Sequence, residues 1–234
     1  MRKPAAGLLQ IVFLLISPPV AADDLYRYTA PNFDGIGKFY MGREISHVMG
    51  HQGAAWLERP ERVREERIDL LIEKLPVNPD SVVADIGAGT GLFSFAVAKR
   101  APSGKVLAVD IQPEMLEIMA RRKKKTGIRN VEPVLGTIEN PNLPKGALDL
   151  IFIVDAYHEF SHPHEMGTAM AAALKPGGKL ILIEYRAEDR SVPIKRLHKM
   201  TEAQAKKEMS ALGLRWVETA DFLPQQHFLV FEKP

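Results

Sequence analysis

The 234-residue chain has no cysteine, which excludes disulfides, thiolate zinc sites and a cysteine nucleophile together. Net charge is also small: 31 Lys and Arg stand against 29 Asp and Glu, a formal +2. Bulk electrostatics therefore favours neither nucleic acid nor an anionic surface. The chain further lacks, near its start, an apolar run of membrane-spanning length. Leu8 to Ile16 falls short of the roughly 20 residues that a bilayer helix needs.

That short run has the flanks of a leader, with Arg2 and Lys3 before it and the small residues Val20-Ala21-Ala22 after it. Residues 1 to 22 are accordingly expected to be a signal peptide. The mature chain would begin at Asp23, be exported to the periplasm and keep no stable membrane span; a membrane-anchored form is the alternative. The absence of cysteine fits an oxidising compartment.

The organising stretch is Val82-Val83-Ala84-Asp85-Ile86-Gly87-Ala88-Gly89-Thr90-Gly91. Its unbroken apolar start reads as a parallel strand covered on both faces. The glycines then allow a tight turn and close approach to a ligand, and Leu92, Phe93, Phe95, Ala96 and Val97 supply a helix that packs back on the sheet. A dinucleotide site would want a third glycine deeper in the helix, where this chain has Leu92. Val106-Leu107-Ala108-Val109-Asp110 reads as the next strand, again ending in an acid. Carboxylates suit a cationic ligand better than a pyrophosphate.

An acid followed by Gly-x-Gly-x-Gly, with a second acid at the tip of the next strand, resembles class I S-adenosylmethionine (SAM)-dependent methyltransferases. Within that family the chain is similar to the small-molecule group that includes ubiquinone and menaquinone biosynthesis enzymes. The resemblance implies an α/β, Rossmann-like fold: a seven-stranded, mainly parallel sheet with helices on both faces, here preceded by an N-terminal helical cap. It implies SAM as cofactor, with Asp85, Gly87, Gly89 and Gly91 at its methionine portion, Asp110 at the ribose and Ile111, Thr137 and Ile138 at the adenine. Asp155, ending the fourth strand of the domain, joins the cofactor set. Thr137 departs from the pattern, because relatives commonly carry an acid there.

The domain division expected is signal peptide over 1–22, helical cap over 23–79 and SAM-binding methyltransferase domain over 80–234. In the cap, Pro60 sits well at a helix start, and Ile68, Leu71, Ile72 and Leu75 share one face at helical spacing. Arg62, Arg64, Glu65, Glu66 and Arg67 read as the solvated face. Earlier, Tyr40, Arg43, His47 and His51 are candidates for a lid over substrate. His47 and His51, spaced i,i+4, could seat a metal, but no third ligand accompanies them, and no metal centre is expected. The cationic run Arg121 to Lys125 lacks interleaved aromatics and sits where a helix should end, so it reads as solvent-facing rather than as a nucleic-acid patch.

Val131 to Leu135, Ala147 to Asp155 and Lys179 to Tyr185 read as further strands. In open α/β sheets ligands lie beyond the carboxyl ends of the strands, which makes Tyr157, His158 and Glu159 the candidates for chemistry and Tyr185 a substrate contact. His158 suits proton transfer, with Glu159 orienting it or acting instead. The segment from Ala187 to Met200 should lie over the substrate mouth. Thr201 to Gln204 is a capping box, Gly213 closes that helix, and two final strands include an antiparallel insertion at 227–231. The activity expected is in-line methyl transfer from SAM to a small organic or lipid-like acceptor; the alternative is an exported SAM-binding module without catalysis.

Overall fold

The computed structural model describes residues 25–234, so the leader expected over residues 1–22 lies outside the described residues. The first elements are strands, not helices: β1 (Tyr26–Tyr28), β2 (Gly35–Tyr40) and β3 (Arg43–Ser46) form a small antiparallel sheet around Tyr26, Tyr40 and Ile45. The expectation of a wholly helical cap is corrected here. Met41 (φ 50°) and Gly42 (φ 100°) make the β2–β3 connection, and positive φ at both central residues is what a twisted two-residue hairpin requires. A methionine in that position gives no turn signal, which is why the hairpin is hard to read from sequence.

Short helices follow at Ala54–Leu57, Arg62–Glu65 and Ile68–Lys74. The single amphipathic helix expected after Pro60 is broken at Arg67, whose φ of 53° interrupts the ladder and turns Glu66 inward. Leu71 and Leu75 still bury their side chains as expected.

From Val82 onward the expected architecture is present. Strands β4 (Val82–Ile86), β5 (Lys105–Asp110), β6 (Val131–Leu135), β7 (Leu148–Val154), β8 (Leu174–Tyr185), β9 (Arg215–Ala220) and β10 (Gln226–Glu232) form one sheet in the order β6-β5-β4-β7-β8-β10-β9. β4 pairs in parallel with both β5 and β7, whereas β10 runs antiparallel to β8 and β9. Alternate residues of each strand enter opposite cores. Val83, Ala108, Phe152 and Ile183 pack with Leu71, Phe93 and Phe95 on one face. Ala84, Ile86, Ile151 and Leu182 pack with Met166, Met170 and Met209 on the other. Burial of each large side chain contributes about 1.5–3 kcal/mol.

The chain leaves β4 toward β5 and β6 on one side and returns to β7 on the other, so the sheet reverses its winding at β4. A crevice opens at such a point, above the carboxyl ends of the strands. Among the described residues no helix is long and apolar enough to cross a membrane.

Candidate active site

A cavity of about 490 Å³ fills that crevice, within the roughly 300–1,000 Å³ usual for small-ligand sites. Its floor is the turn after β4. Gly87, Gly89 and Gly91 all have positive φ (73°, 55° and 79°), and a Cβ on Gly87 would lie 2.7 Å from that of Ala156. The N–H groups of Gly87 and Ala88 both donate to the Val109 carbonyl at 2.9 Å. Asp110 then accepts the N–H of Gly89 at 2.8 Å and that of Gln112 at 2.9 Å, tying the turn to the tip of β5.

Three aspartates line this cavity with little access to water: Asp85, Asp110 and Asp155. Burial pushes the Asp85 carboxyl up to about 7, against the hydrogen bond it accepts from Ser94 at 2.5 Å and with help from nearby Asp110. Burial also raises Asp110, opposed by the backbone N–H groups it accepts. Asp155 is raised well above the ordinary range by burial, then by Glu66 and Glu184. Arg62 stands 3.7 Å from Asp155 and at the same time pairs with buried Glu66 at 2.8 Å.

At the far end of the cavity the 3-10 turn Tyr157–Glu159 follows β7. Here Glu184, at the end of β8, holds His158 twice: Oε1 accepts its backbone N–H at 3.2 Å, and Oε2 lies 2.6 Å from ring Nδ1. The other ring nitrogen, Nε2, is 3.1 Å from Nδ1 of His198 and 3.8 Å from Glu159. Glu159, by hydrogen bonding, and Asp34 together raise the His198 ring above its ordinary value despite partial burial. The apolar walls between the two ends come from Trp56, Leu57, Phe160, Pro193 and Ile194, among others.

The family described as methyltransferase domain matches residues 83–178. A SAM-dependent methyltransferase of Aquifex aeolicus shares the fold at a TM-score of 0.75, covering 80% of this chain and 100% of that one at 21% identity. Residues 83–178 are thus a methyltransferase domain, set in the fold of SAM-dependent methyltransferases. A ubiquinone/menaquinone biosynthesis C-methyltransferase of Bordetella parapertussis is 33% identical over 115 residues, 49% of this chain and 44% of that protein. An uncharacterized methyltransferase-like protein of Schizosaccharomyces pombe is 29% identical over 151 residues, 64% of this chain and 56% of that protein. The chain thus spans about half the length of these curated relatives.

The residues of the methyltransferase domain fit SAM. Positive-φ glycines clear the turn for close backbone approach, and a side chain at Gly87 would close it. Asp85, Asp110 and Asp155 offer carboxylates to a ligand carrying a sulfonium and an ammonium. Ile111, Met115 and Ile138 add apolar surface to the same cavity.

Of the residues expected at the methyltransferase site, Asp85, Gly87, Gly89, Asp110, Ile111, Ile138, Asp155, His158, Glu159 and Tyr185 line the cavity. Several others do not. Gly91 lies behind the turn, where a Cβ would meet Met119 and Phe95, so its freedom serves the helix start. The Thr137 hydroxyl is used within its own turn, accepting the N–H of Asn140 at 3.0 Å. Tyr157 is wholly buried in the core beneath the site, its ring 5.7 Å from the Arg43 guanidinium, which removes it from the expected chemistry.

The lid candidates are corrected as well. Tyr40 is buried against His164, and Arg43 makes a two-pronged pair with Glu208 and donates to the His158 carbonyl at 3.1 Å. They brace the loop from behind. His47 is exposed outside the cavity, and His51 lies on a separate 3-10 turn beside Glu114. The cap reaches the cavity instead through Val48, Met49, Trp56, Leu57, Arg59 and Arg62. Arg62 and Glu66 were expected on a solvated face; their i,i+4 spacing fits a surface pair and a buried one equally well, and only the turn at Arg67 brings them inside.

Proposed function

We propose that this protein transfers the methyl group of SAM to a small organic or lipid-like acceptor, bound between the cap and the 155–161 loop. The observation that carries the reading is one continuous cavity that runs from the carboxylates of Asp85 and Asp110 to His158. When bound, SAM supplies an electrophilic methyl group on a sulfonium. The chain's own residues do the rest by holding the acceptor in line within a water-poor pocket. Glu184 fixes the His158 ring through Nδ1 and leaves Nε2 on the cavity side beside His198, where, with no ion bound, the pair would take a proton from an acceptor that must lose one. Trp56, Phe160 and Ile194 would exclude water and favour an apolar acceptor body. The Bordetella relative, named for C-methylation in ubiquinone/menaquinone biosynthesis, supports a lipid-like acceptor.

The test is incubation of the purified protein with SAM and fractionated cell extract, following S-adenosylhomocysteine release. The reading predicts release in at least one fraction and its loss in His158→Ala. SAM binding with no turnover in any fraction would instead support a SAM-binding module. Export remains a proposal that rests on the basic start, the apolar run and the small residues of positions 1–22. Mass spectrometry of the mature N-terminus checks it, with Asp23 the expected first residue.

A further inference from the structure

We propose that His158, His198 and Glu159 form a binding site for one divalent transition-metal ion of the zinc type at the acceptor end of the cavity. The three donor atoms, His158 Nε2, His198 Nδ1 and Glu159 Oε1, lie 3.1, 3.5 and 3.8 Å from one another. Donors about 2.0–2.2 Å from a shared ion stand roughly 3–3.6 Å apart, so little movement is needed to close on one.

The hydrogen-bonding partners behind the rings point the same way. Glu184 lies on His158 Nδ1 at 2.6 Å and places that nitrogen's hydrogen toward itself. Asp34 lies 3.3 Å from His198 Nε2, behind the second ring. His158 turns Nε2 inward, and Nδ1 of His198 and a carboxylate oxygen of Glu159 meet it there. Three ligand-type atoms converge on one point, and an ion bound there displaces the hydrogen they share. A carboxylate behind each ligating histidine is also the usual support of a metal site, because it fixes the tautomer and makes the ring a better donor.

Two imidazoles and one carboxylate select a zinc-like or iron-like ion over magnesium or calcium, which prefer all-oxygen shells. All three residues line the cavity, so the remaining coordination positions open toward the acceptor, as in sites that bind and polarise a ligand. With an ion in place His158 Nε2 is a ligand and not a base; an acceptor with a hydroxyl, thiol or similar ionisable group would bind there and would give its proton more readily to water. Lys195, held by Asp34 at 2.7 Å, offsets part of the charge behind His198. The inference concerns binding alone and does not depend on methyl transfer.

The experiment uses tag-free protein stripped with chelator, then titrated calorimetrically with ZnCl2 and, in parallel, with CoCl2 while visible absorption is followed. One ion per chain is expected, with cobalt giving ligand-field bands. His198→Ala and Glu159→Gln should each weaken binding at least tenfold while circular dichroism remains native, and His47→Ala, outside the cavity, should leave it unchanged. MgCl2 should not compete. Absence of stoichiometric zinc binding in the wild-type protein, or equal affinity in His198→Ala and Glu159→Gln, overturns the site. Protein that binds SAM but no metal defeats this inference alone, whereas protein that binds metal but not SAM defeats only the methyl-donor reading.

Discussion

The carboxylate of Asp110 accepts the backbone N–H of Gly89 at 2.8 Å. Asp110 therefore does more than face the ligand: it sets the position of the turn whose other face the ligand must meet. Asp110→Ala should weaken SAM binding by about 1–3 kcal/mol, the cost of leaving a buried donor without its partner and removing a ligand contact. Asp110→Asn, which retains one oxygen for these N–H groups, should lose less. Calorimetry with SAM and S-adenosylhomocysteine measures both, and unchanged affinity in Asp110→Ala would reject the role.

Asp85 predicts a pH dependence. Its folded carboxyl titrates at about 7, above the ordinary 3.8, because burial disfavours the charge. Folding thus favours the protonated form, and this group's contribution to stability is complete below about 3.8 and lost as pH rises through about 7. The melting temperature of the ligand-free protein should fall from about pH 4 to 7 and level off above that, and Asp85→Asn should flatten that slope. SAM affinity should rise over the same window, since a cationic ligand favours the carboxylate. Parallel slopes in the variant and the wild type would remove Asp85 as the cause.

Arg62 predicts a stability effect at a position outside the methyltransferase motif. Its guanidinium answers both Glu66 and Asp155 from a nearly buried position. Arg62→Ala leaves those acids facing each other and should cost about 3–5 kcal/mol in urea unfolding. The double variant Arg62→Met with Glu66→Leu, which removes a charge of each sign, should recover part of that loss. A cost below about 1 kcal/mol for the single variant would return the pair to the surface.

Gly87→Ala tests the turn. At φ 73° and with Ala156 in the way at 2.7 Å, an added methyl group is both strained and crowded, and a short side chain cannot swing aside. A stability loss of roughly 1–3 kcal/mol is expected, with SAM affinity reduced in the same variant. Thermal unfolding with and without SAM reads both, and a variant as stable and as tightly binding as the parent would contradict the close approach.

The central sheet was legible because its strands are covered on both faces and so appear as apolar runs, each ending where a glycine or an acid marks the rim. Val82–Ile86 and Lys105–Asp110 are such cases. The cap was not, because its strands are short and carry Tyr, Lys and Arg, and their hairpin lacks a turn signature. At the site, the cofactor end follows from local motif spacing, so Asp85, Gly87, Gly89 and Asp110 were within reach. The acceptor end depends on contacts across the fold. His158 meets Glu184 from 26 residues away and His198 from 40, and Arg62 meets Asp155 only after the chain turns at Arg67. No local pattern records those meetings. Tyr157, adjacent to His158, faces the core instead because the 3-10 turn sends neighbouring side chains in different directions.

The most direct measurement is calorimetric titration of the purified protein with SAM and, in a matched run, with NADH. The account predicts saturable one-site binding of SAM, weakened in Asp110→Ala, and no heat from NADH. Binding of NADH with none of SAM would contradict it.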